Sequence, residues 1–206
     1  MSNKPLLNAT TMYESLKLYI TRYIEAPLPD EEFKLIEKAF HPKLIRKKQY
    51  LLQEGEICRY TGFLVKGAMR QYFVDAKGNE HILRFAIENW WVGDRESFSH
   101  QSPSKYNIDA LEESELLIIS YPDLQQLRHK APSFVLMMQK IDERSFIAAQ
   151  KRIHASISYT AEERYLDLVK SNPDFLQRFS QNMIASYLGI TPETLSRVRK
   201  HQSGNS

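Results

Sequence analysis

Residues 178–201 read RFSQNMIASYLGITPETLSRVRKH, and the spacing of residue types in this stretch decides the fold of the carboxy-terminal part. Ala185 is small enough for two packed helices to cross closely, and Gly189 permits the positive φ of a tight turn. Pro192 suits a first helical position, because the N–H that it lacks has no helical partner there. Apolar residues that would seal both helices onto a core are Ile184, Leu188, Ile190, Leu195 and Val198. The pattern predicts a helix-turn-helix whose second helix starts at Thr191.

The second helix would show its polar side chains to solvent, because its apolar residues turn inward. Glu193, Ser196 and Arg197 lie on that outer face. A guanidinium can donate two hydrogen bonds to guanine, and a carboxylate can accept one from cytosine, so these residues are candidate base contacts in double-stranded DNA. An ordinary amphipathic helix pair with a surface Glu–Arg ion pair is the alternative. Candidate phosphate contacts, which supply affinity without sequence information, are Arg178, Ser180, Thr191, Arg199 and Lys200.

Charge is distributed unevenly along the 206 residues. Residues 1–150 carry 20 Lys/Arg and 20 Asp/Glu, whereas residues 151–206 carry 8 and 5, so the net charge of +3 lies in the last quarter. That excess favours a polyanionic partner. The only cysteine, Cys58, excludes an internal disulfide and a four-thiolate iron–sulfur site. No apolar run approaches the roughly 18 residues of a membrane span or resembles a signal peptide, so a cytoplasmic location without membrane attachment is expected.

The middle of the chain has the pattern of a β domain. Five of the seven glycines fall between residues 55 and 93, where short apolar runs alternate with turns. Residues 75–79 separate two alternating runs and predict a hairpin. Strands so short and numerous indicate a closed or two-sheet structure such as a jelly roll, preceded by helices within the first forty residues. We assign residues 1–130 to this domain.

A long helix is predicted over residues 131–157, since neither glycine nor proline interrupts the sequence after Pro132. Its length would be on the order of 35 to 40 Å. Such a helix either packs along the β domain or forms a parallel dimer seam. The residues near heptad spacing, which would form that seam, are Phe134, Met138, Ile141, Ser145 and Ala148. The prediction is thus an α+β chain that ends in an all-α helix-turn-helix domain over residues 158–206.

The whole arrangement resembles the Crp/Fnr family of bacterial transcription regulators. GEICRYTGFLVKGAMRQYFVDAKGNEHIL (55–83) is similar to the family's glycine-punctuated β-roll, WWVGDRESF (90–98) to the segment that enters its effector cassette, and IASYLGITPETLSRVRK (184–200) to its recognition motif. The resemblance implies an amino-terminal double-stranded β-helix, jelly-roll-like and of the cyclic-nucleotide-binding type, that acts as a sensor. It also implies a dimerisation helix and a homodimer that binds palindromic operators. RNA polymerase and a small effector are further implied partners.

The resemblance places an effector pocket at Gly93, Asp94, Lys105 and Tyr106. The family's cassette contains a Gly-Glu pair that binds the ribose and an arginine, followed by Ser or Thr, that binds the cyclic phosphate. This chain has Gly93-Asp94 and then Ser104-Lys105 instead. Aspartate is one methylene shorter than glutamate, and a lysine cannot make the planar two-point contact of a guanidinium. Cyclic AMP is therefore not expected to bind, and no cofactor is assigned.

Histidine next to glutamate raises a second hypothesis. His81 follows Glu80 in the β region, and imidazole and carboxylate groups bind zinc or iron in cupin-like barrels. The other histidines are scattered, so we predict neither a metal site nor a catalytic residue. A cupin-like small-molecule-binding or metal-dependent β-barrel protein is the alternative to a regulator, and a regulator that has lost its effector is a third hypothesis.

Overall fold

The computed structural model describes residues 7–204, so the outermost ends of the first and last predicted domains, residues 1–6 and 205–206, lie outside the described part. The expected α+β class is confirmed. The elements in chain order are α1 Ala9–Ile24, α2 Asp30–Ala39, β1 His41–Ile45, β2 Tyr50–Leu52, β3 Tyr60–Lys66, β4 Met69–Val74, β5 Glu80–Ala86, β6 Trp91–Val92, α3 Arg95–His100, β7 Asn107–Ala110, β8 Ser114–Ser120, α4 Tyr121–Lys130, α5 Pro132–Ser158, α6 Ala161–Ser171, α7 Phe175–Arg178, α8 Gln181–Leu188 and α9 Pro192–Gly204.

Two antiparallel sheets form the β domain, which confirms the jelly-roll-like prediction. Their strand orders are β1-β8-β3-β6 and β2-β7-β4-β5. Strand β8 is buried along almost its whole length because it pairs with both β1 and β3. Phe63 and Leu117 are opposite each other in the β3–β8 register, and neither is exposed. Strands β1 and β6 were not predicted, since β1 carries three exposed residues and β6 has only two residues in all.

The amino-terminal helices pack on this core. The side chain of Asn8 caps α1 by accepting a hydrogen bond from the N–H of Thr11 at 2.8 Å, and Leu16 and Ile20 are fully buried. Glu32 in α2 accepts hydrogen bonds from the N–H and the hydroxyl of Ser133, at 2.8 and 3.1 Å. The Glu32 carboxylate therefore provides a hydrogen-bond acceptor for the N–H of Ser133, which has no partner within the first turn of α5.

The chain divides into two compact units that share α5. One unit contains the residues up to Phe73 and Arg84–Asp142, and the other contains Val74–Leu83 and the residues from Glu143 onward. The hairpin tip is thus grouped with the carboxy-terminal helices, whereas the sequence suggested one domain to residue 130, a separate helix and a third domain. None of the helices in the described part is both long and apolar enough to cross a membrane.

The predicted seam residues of α5 differ in burial. Phe134 and Ile141 are buried within their own chain, and Met138 is half-buried against the same core. Ser145 and Ala148 are exposed. A second copy of the chain could not reach the buried pair without disturbing this core, so a seam along α5 would use its exposed residues, most of which follow Asp142.

Candidate nucleic-acid interface

Helices α8 and α9 and the turn between them have the local geometry that the sequence predicts. The Ser180 hydroxyl caps α8 by accepting from the N–H of Met183 at 3.4 Å. Gly189 ends α8 in the left-handed conformation with φ of 67°. Helix α9 begins at Pro192, and the Thr191 hydroxyl accepts from the N–H of Thr194 at 3.2 Å. Each helix therefore starts at a capping side chain, and the turn depends on a residue without Cβ.

Packing fixes which face of α9 is presented to solvent. Ala185 and Leu195 are essentially fully buried, so α8 and α9 approach each other closely. Phe175 in α7 is also buried, and its ring lies 5.0 Å from that of Phe179 and 6.2 Å from that of Tyr187. This small aromatic cluster packs against α8, and the polar residues Glu193, Ser196 and Arg197 of α9 remain exposed.

The predicted DNA contacts nearly all lie at the surface. The candidate base contacts Glu193, Ser196 and Arg197 are exposed on one face of α9. Among the candidate phosphate contacts, Arg178 is half-buried, and the exposed ones are Ser180, Thr191, Arg199 and Lys200. The structure thus brings one carboxylate and one guanidinium together on an exposed helical face, one turn apart, as major-groove recognition requires.

The Glu193 carboxylate is held in its ionised form. Its own backbone N–H, the hydroxyl of Thr191 and the positive charge of Arg197 all lower the pKa of the Glu193 carboxyl. An ionised carboxylate can only accept hydrogen bonds, so it can contact a cytosine amino group or orient the arginine, but it cannot donate to a base.

Thr194 is a site residue that the sequence analysis missed. Its hydroxyl lies 3.3 Å from Nη2 of Arg197, which donates to it, and 3.2 Å from the hydroxyl of Thr191. The spacing of three residues between Thr194 and Arg197 was the available indication, since side chains three apart on a helix are neighbours. The half-buried Thr194 therefore hydrogen-bonds to the guanidinium of Arg197, the candidate base contact, and restricts its position.

The far end of α9 is held by α6. Oε1 of Glu162 accepts a hydrogen bond from Nε2 of Gln202 and lies 3.1 Å from Nδ1 of His201. Helix α6 itself starts with a capping box between Thr160 and Glu163, whose hydrogen bonds lower the pKa of the Glu163 carboxyl. Both ends of the candidate recognition helix are thus fixed by specific polar contacts.

Comparisons with known proteins agree with this arrangement. Residues 42–131 match the family model for the cyclic nucleotide-binding domain. The chain is 28% identical over 167 residues to the fumarate and nitrate reduction regulatory protein of Vibrio cholerae, covering 76% of this chain and 66% of that protein. It is 24% identical to the transcriptional regulatory protein btr of Bordetella pertussis, covering 64% of this chain and 58% of that protein. The chain therefore spans about two thirds or less of the length of these two curated relatives.

Solved structures share the fold. FixK2 from Bradyrhizobium japonicum superposes with a TM-score of 0.67 at 18% identity, over 80% of this chain and 86% of that one. The regulator CLP of Xanthomonas campestris superposes with a TM-score of 0.68 at 16% identity, over 86% of this chain and 93% of that one. These structures share with the chain a β-roll followed by a helix-turn-helix. Residues 42–131 therefore form a domain of the cyclic nucleotide-binding type, and the chain as a whole is similar to regulators of the Crp/Fnr type.

A cyclic nucleotide, which the name of the matched domain implies, does not fit the residues present. Asp94 is buried, and both of its oxygens are occupied: one accepts from the N–H of Glu96 at 3.1 Å and the other from the hydroxyl of Ser104 at 2.7 Å. Lys105 is exposed. The carboxylate that would bind a ribose caps α3 instead, and neither Ser104 nor Lys105 supplies a guanidinium for the phosphate.

The space beside this cassette is also too small. A cavity of about 10 Å³ lies between residues of β4 to β7, which is room for about one water molecule. Nucleotide-sized ligands need pockets of roughly 300 Å³ or more. Of the four residues predicted to line an effector pocket, Gly93 lines this cavity, whereas Asp94, Lys105 and Tyr106 do not. The effector pocket stays a prediction.

The cupin-like alternative requires a cluster of metal ligands. Within residues 7–204 no three His, Cys, Asp or Glu side chains come close enough to hold a metal ion. Nε2 of His81 instead lies 2.9 Å from Oδ2 of Asp75 in the hairpin turn. The comparisons likewise favour a regulator over a cupin.

Proposed function

We propose that this chain is a sequence-specific transcription regulator that binds double-stranded DNA through α9. The exposed pair of Glu193 and Arg197 on a helix fixed at both ends is the observation that carries the proposal. Arg197 would contact guanine, and Glu193 would accept from cytosine or orient the arginine, with Ser196 beside them. Phosphates would be contacted by Arg178, Ser180, Thr191, Arg199 and Lys200.

The binding unit that we propose is a homodimer joined along the second half of α5. From Glu143 onward this helix exposes large apolar side chains: Phe146 is 64% exposed, Ile153 60% and Ile157 79%. Together with Gln150 these residues recur at spacings of four, three and four, which is the pattern of a coiled-coil seam. This seam replaces the buried Phe134 and Ile141 of the sequence-based assignment and keeps its exposed neighbours, Ser145 and Ala148. A symmetric dimer would bind two half-sites roughly 34 Å apart, which predicts palindromic operators.

The resemblance to the family supports three further parts of the proposal. The protein would act in the cytoplasm, contact RNA polymerase and respond to a small effector other than a cyclic nucleotide. It would not be an enzyme, because the relatives that it matches are regulators. The closed cassette around Asp94 equally supports a regulator that has lost its effector.

Selection of bound duplexes from a random DNA pool tests the proposal. A palindromic consensus is expected, and its affinity should fall steeply with salt, with a log–log slope of about −0.9 per phosphate contacted. Enrichment of no sequence, together with binding that is insensitive to salt, would contradict the proposal. Metal analysis of the purified protein separates the cupin-like alternative, which requires stoichiometric zinc or iron.

A further inference from the structure

The hairpin tip between β4 and β5 is closed by internal hydrogen bonds. Asp75 accepts hydrogen bonds from the N–H groups of Lys77 and Asn79, each at 2.9 Å, and its backbone N–H donates to the carbonyl of Asn79 at 3.0 Å. The hydrogen bonds from His81 and then from Asn79 hold the pKa of the Asp75 carboxyl well below its usual range. The carboxylate therefore stays ionised at neutral pH and accepts hydrogen bonds from several residues of the turn.

The side chain of Ser186 in α8 is hydrogen-bonded to this hairpin. The Ser186 hydroxyl donates to the carbonyl of Glu80 at 3.1 Å and accepts from the N–H of Ile82 at 2.9 Å. One hydroxyl thus satisfies two backbone groups on one edge of β5, in the way that a neighbouring strand would. Ser186 lies in the first helix of the helix-turn-helix, one residue after the small Ala185 against which α9 packs.

Arg152 adds a second connection between the same two elements. Its guanidinium donates to the carbonyls of Leu83 and, at 3.5 Å, Ile82 in the hairpin, and to the carbonyl of Tyr187 in α8 at 3.3 Å. Its central carbon lies 4.2 Å from the centre of the Tyr187 ring, within the range of a cation–π contact. One arginine from α5 therefore contacts the hairpin and α8 together, and a lysine could not reproduce the planar fork.

We propose that Ser186 and Arg152 are positioning residues that couple the hairpin to the DNA-reading helices, a role that rests on the function proposed above. Ser186 is part of α8 and Arg152 contacts α8, and neither lies on the exposed face of α9, so both would act through the orientation of the helix pair. Because coupling between two sites is reciprocal, DNA bound at α9 stabilises the hairpin contacts, and a displaced hairpin weakens DNA binding. The hairpin residues that make these contacts, from Glu80 to Leu83, form the first part of β5.

Amide hydrogen exchange on the full chain, free and bound to the selected operator duplex, tests the coupling. In the parent protein, the operator is expected to slow exchange at Ile82 and neighbouring hairpin amides. In the double variant Ser186→Ala with Arg152→Gln, exchange of these amides in the free protein should be about five-fold faster, and the operator should no longer change it. Operator affinity should fall several-fold with an unchanged salt slope, since no phosphate contact is removed.

Matched variants separate positioning from general loss of stability. Lys151→Gln removes a neighbouring charge, and Ser171→Ala removes a hydroxyl that bonds within α6; both should behave like the parent protein. Ser186→Thr retains the hydroxyl, so in this variant the operator should still slow hydrogen exchange at the hairpin amides. If the parent protein bound the duplex with no change in hydrogen exchange at the hairpin amides, this inference alone would be overturned. The same holds if the operator still slowed exchange at these amides in the double variant. A parent protein that binds no duplex overturns the proposed function and this inference together.

Discussion

The guanidinium of Arg197 donates a hydrogen bond to the hydroxyl of Thr194, one helical turn earlier, at 3.3 Å. The positive charge of Arg197 lies close enough to Glu193 to contribute to the lowered pKa of the Glu193 carboxyl. An arginine that is already hydrogen-bonded to a neighbour on its own helix loses less side-chain freedom when it binds a base than an unrestrained arginine does. The recognition face of α9 is therefore partly ordered before DNA arrives.

Thr194→Val should weaken operator binding by about 0.5–1 kcal/mol, because valine keeps the shape but removes the acceptor that orders the guanidinium. The loss is expected on the operator and not on random duplex. A double-mutant cycle provides the control: in an Arg197→Ala background, Thr194→Val should change nothing further. An equal loss in both backgrounds would show that Thr194 acts independently of Arg197.

Arg197 and Arg199 should differ in what they contribute. Arg197→Ala should cost about 1–3 kcal/mol on the operator and relax the preference at one base pair, whereas Arg199→Ala should weaken all sequences alike and reduce the salt slope by about one. Affinities for operator and random duplex at several salt concentrations distinguish the two effects. If both substitutions reduced operator and random binding equally, Arg197 would not be a base contact.

The extent to which the sequence predicts this site depends on how local each feature is. Gly189, Pro192 and the two capping hydroxyls act within four residues, so the helix-turn-helix and its exposed face follow from spacing. Contacts between residues that are distant in the sequence leave no such local pattern and could not be predicted. The hydrogen bonds of Ser186 join residues more than one hundred positions apart.

The difference in burial along α5 was likewise not predictable from the sequence. Phe134 and Phe146 both fit a helical apolar stripe, and only the fold shows that Phe134 is buried against its own chain while Phe146 is 64% exposed. A heptad pattern cannot distinguish a stripe that packs on the same chain from one that meets a second copy, because both bury apolar side chains at the same spacing.

A charge placed in the exposed part of α5 should therefore dissociate the dimer. Phe146→Glu or Ile153→Glu is expected to give a monomer by sedimentation or light scattering and to lower affinity for a palindrome much more than for a single half-site. Leu18→Glu is the matched control, since Leu18 in α1 is 68% exposed but lies outside the seam. Phe146→Glu that remained dimeric would rule out this seam.

Gly67 and Gly189 allow the backbone and packing contributions to be separated. Both have positive φ, but a Cβ at Gly189 would have only one described neighbour, 3.9 Å away, whereas one at Gly67 would lie 2.4 Å from the Ser114 hydroxyl and 2.6 Å from the carbonyl of Glu113. Gly189→Ala should thus lower the free energy of unfolding by about 1 kcal/mol through backbone strain alone, and Gly189→Asn by less.

Gly67→Ala adds a steric clash to the same strain and should cost about 3 kcal/mol. Denaturant unfolding separates the two cases, because Trp90 and Trp91, the only tryptophans in the chain, both lie in the unit that contains Gly67. Their fluorescence should report the Gly67→Ala loss, and helical circular dichroism should report the smaller Gly189→Ala change. Equal losses for the two alanine variants would mean that Ser114 and Glu113 move aside, and that backbone strain alone sets both effects.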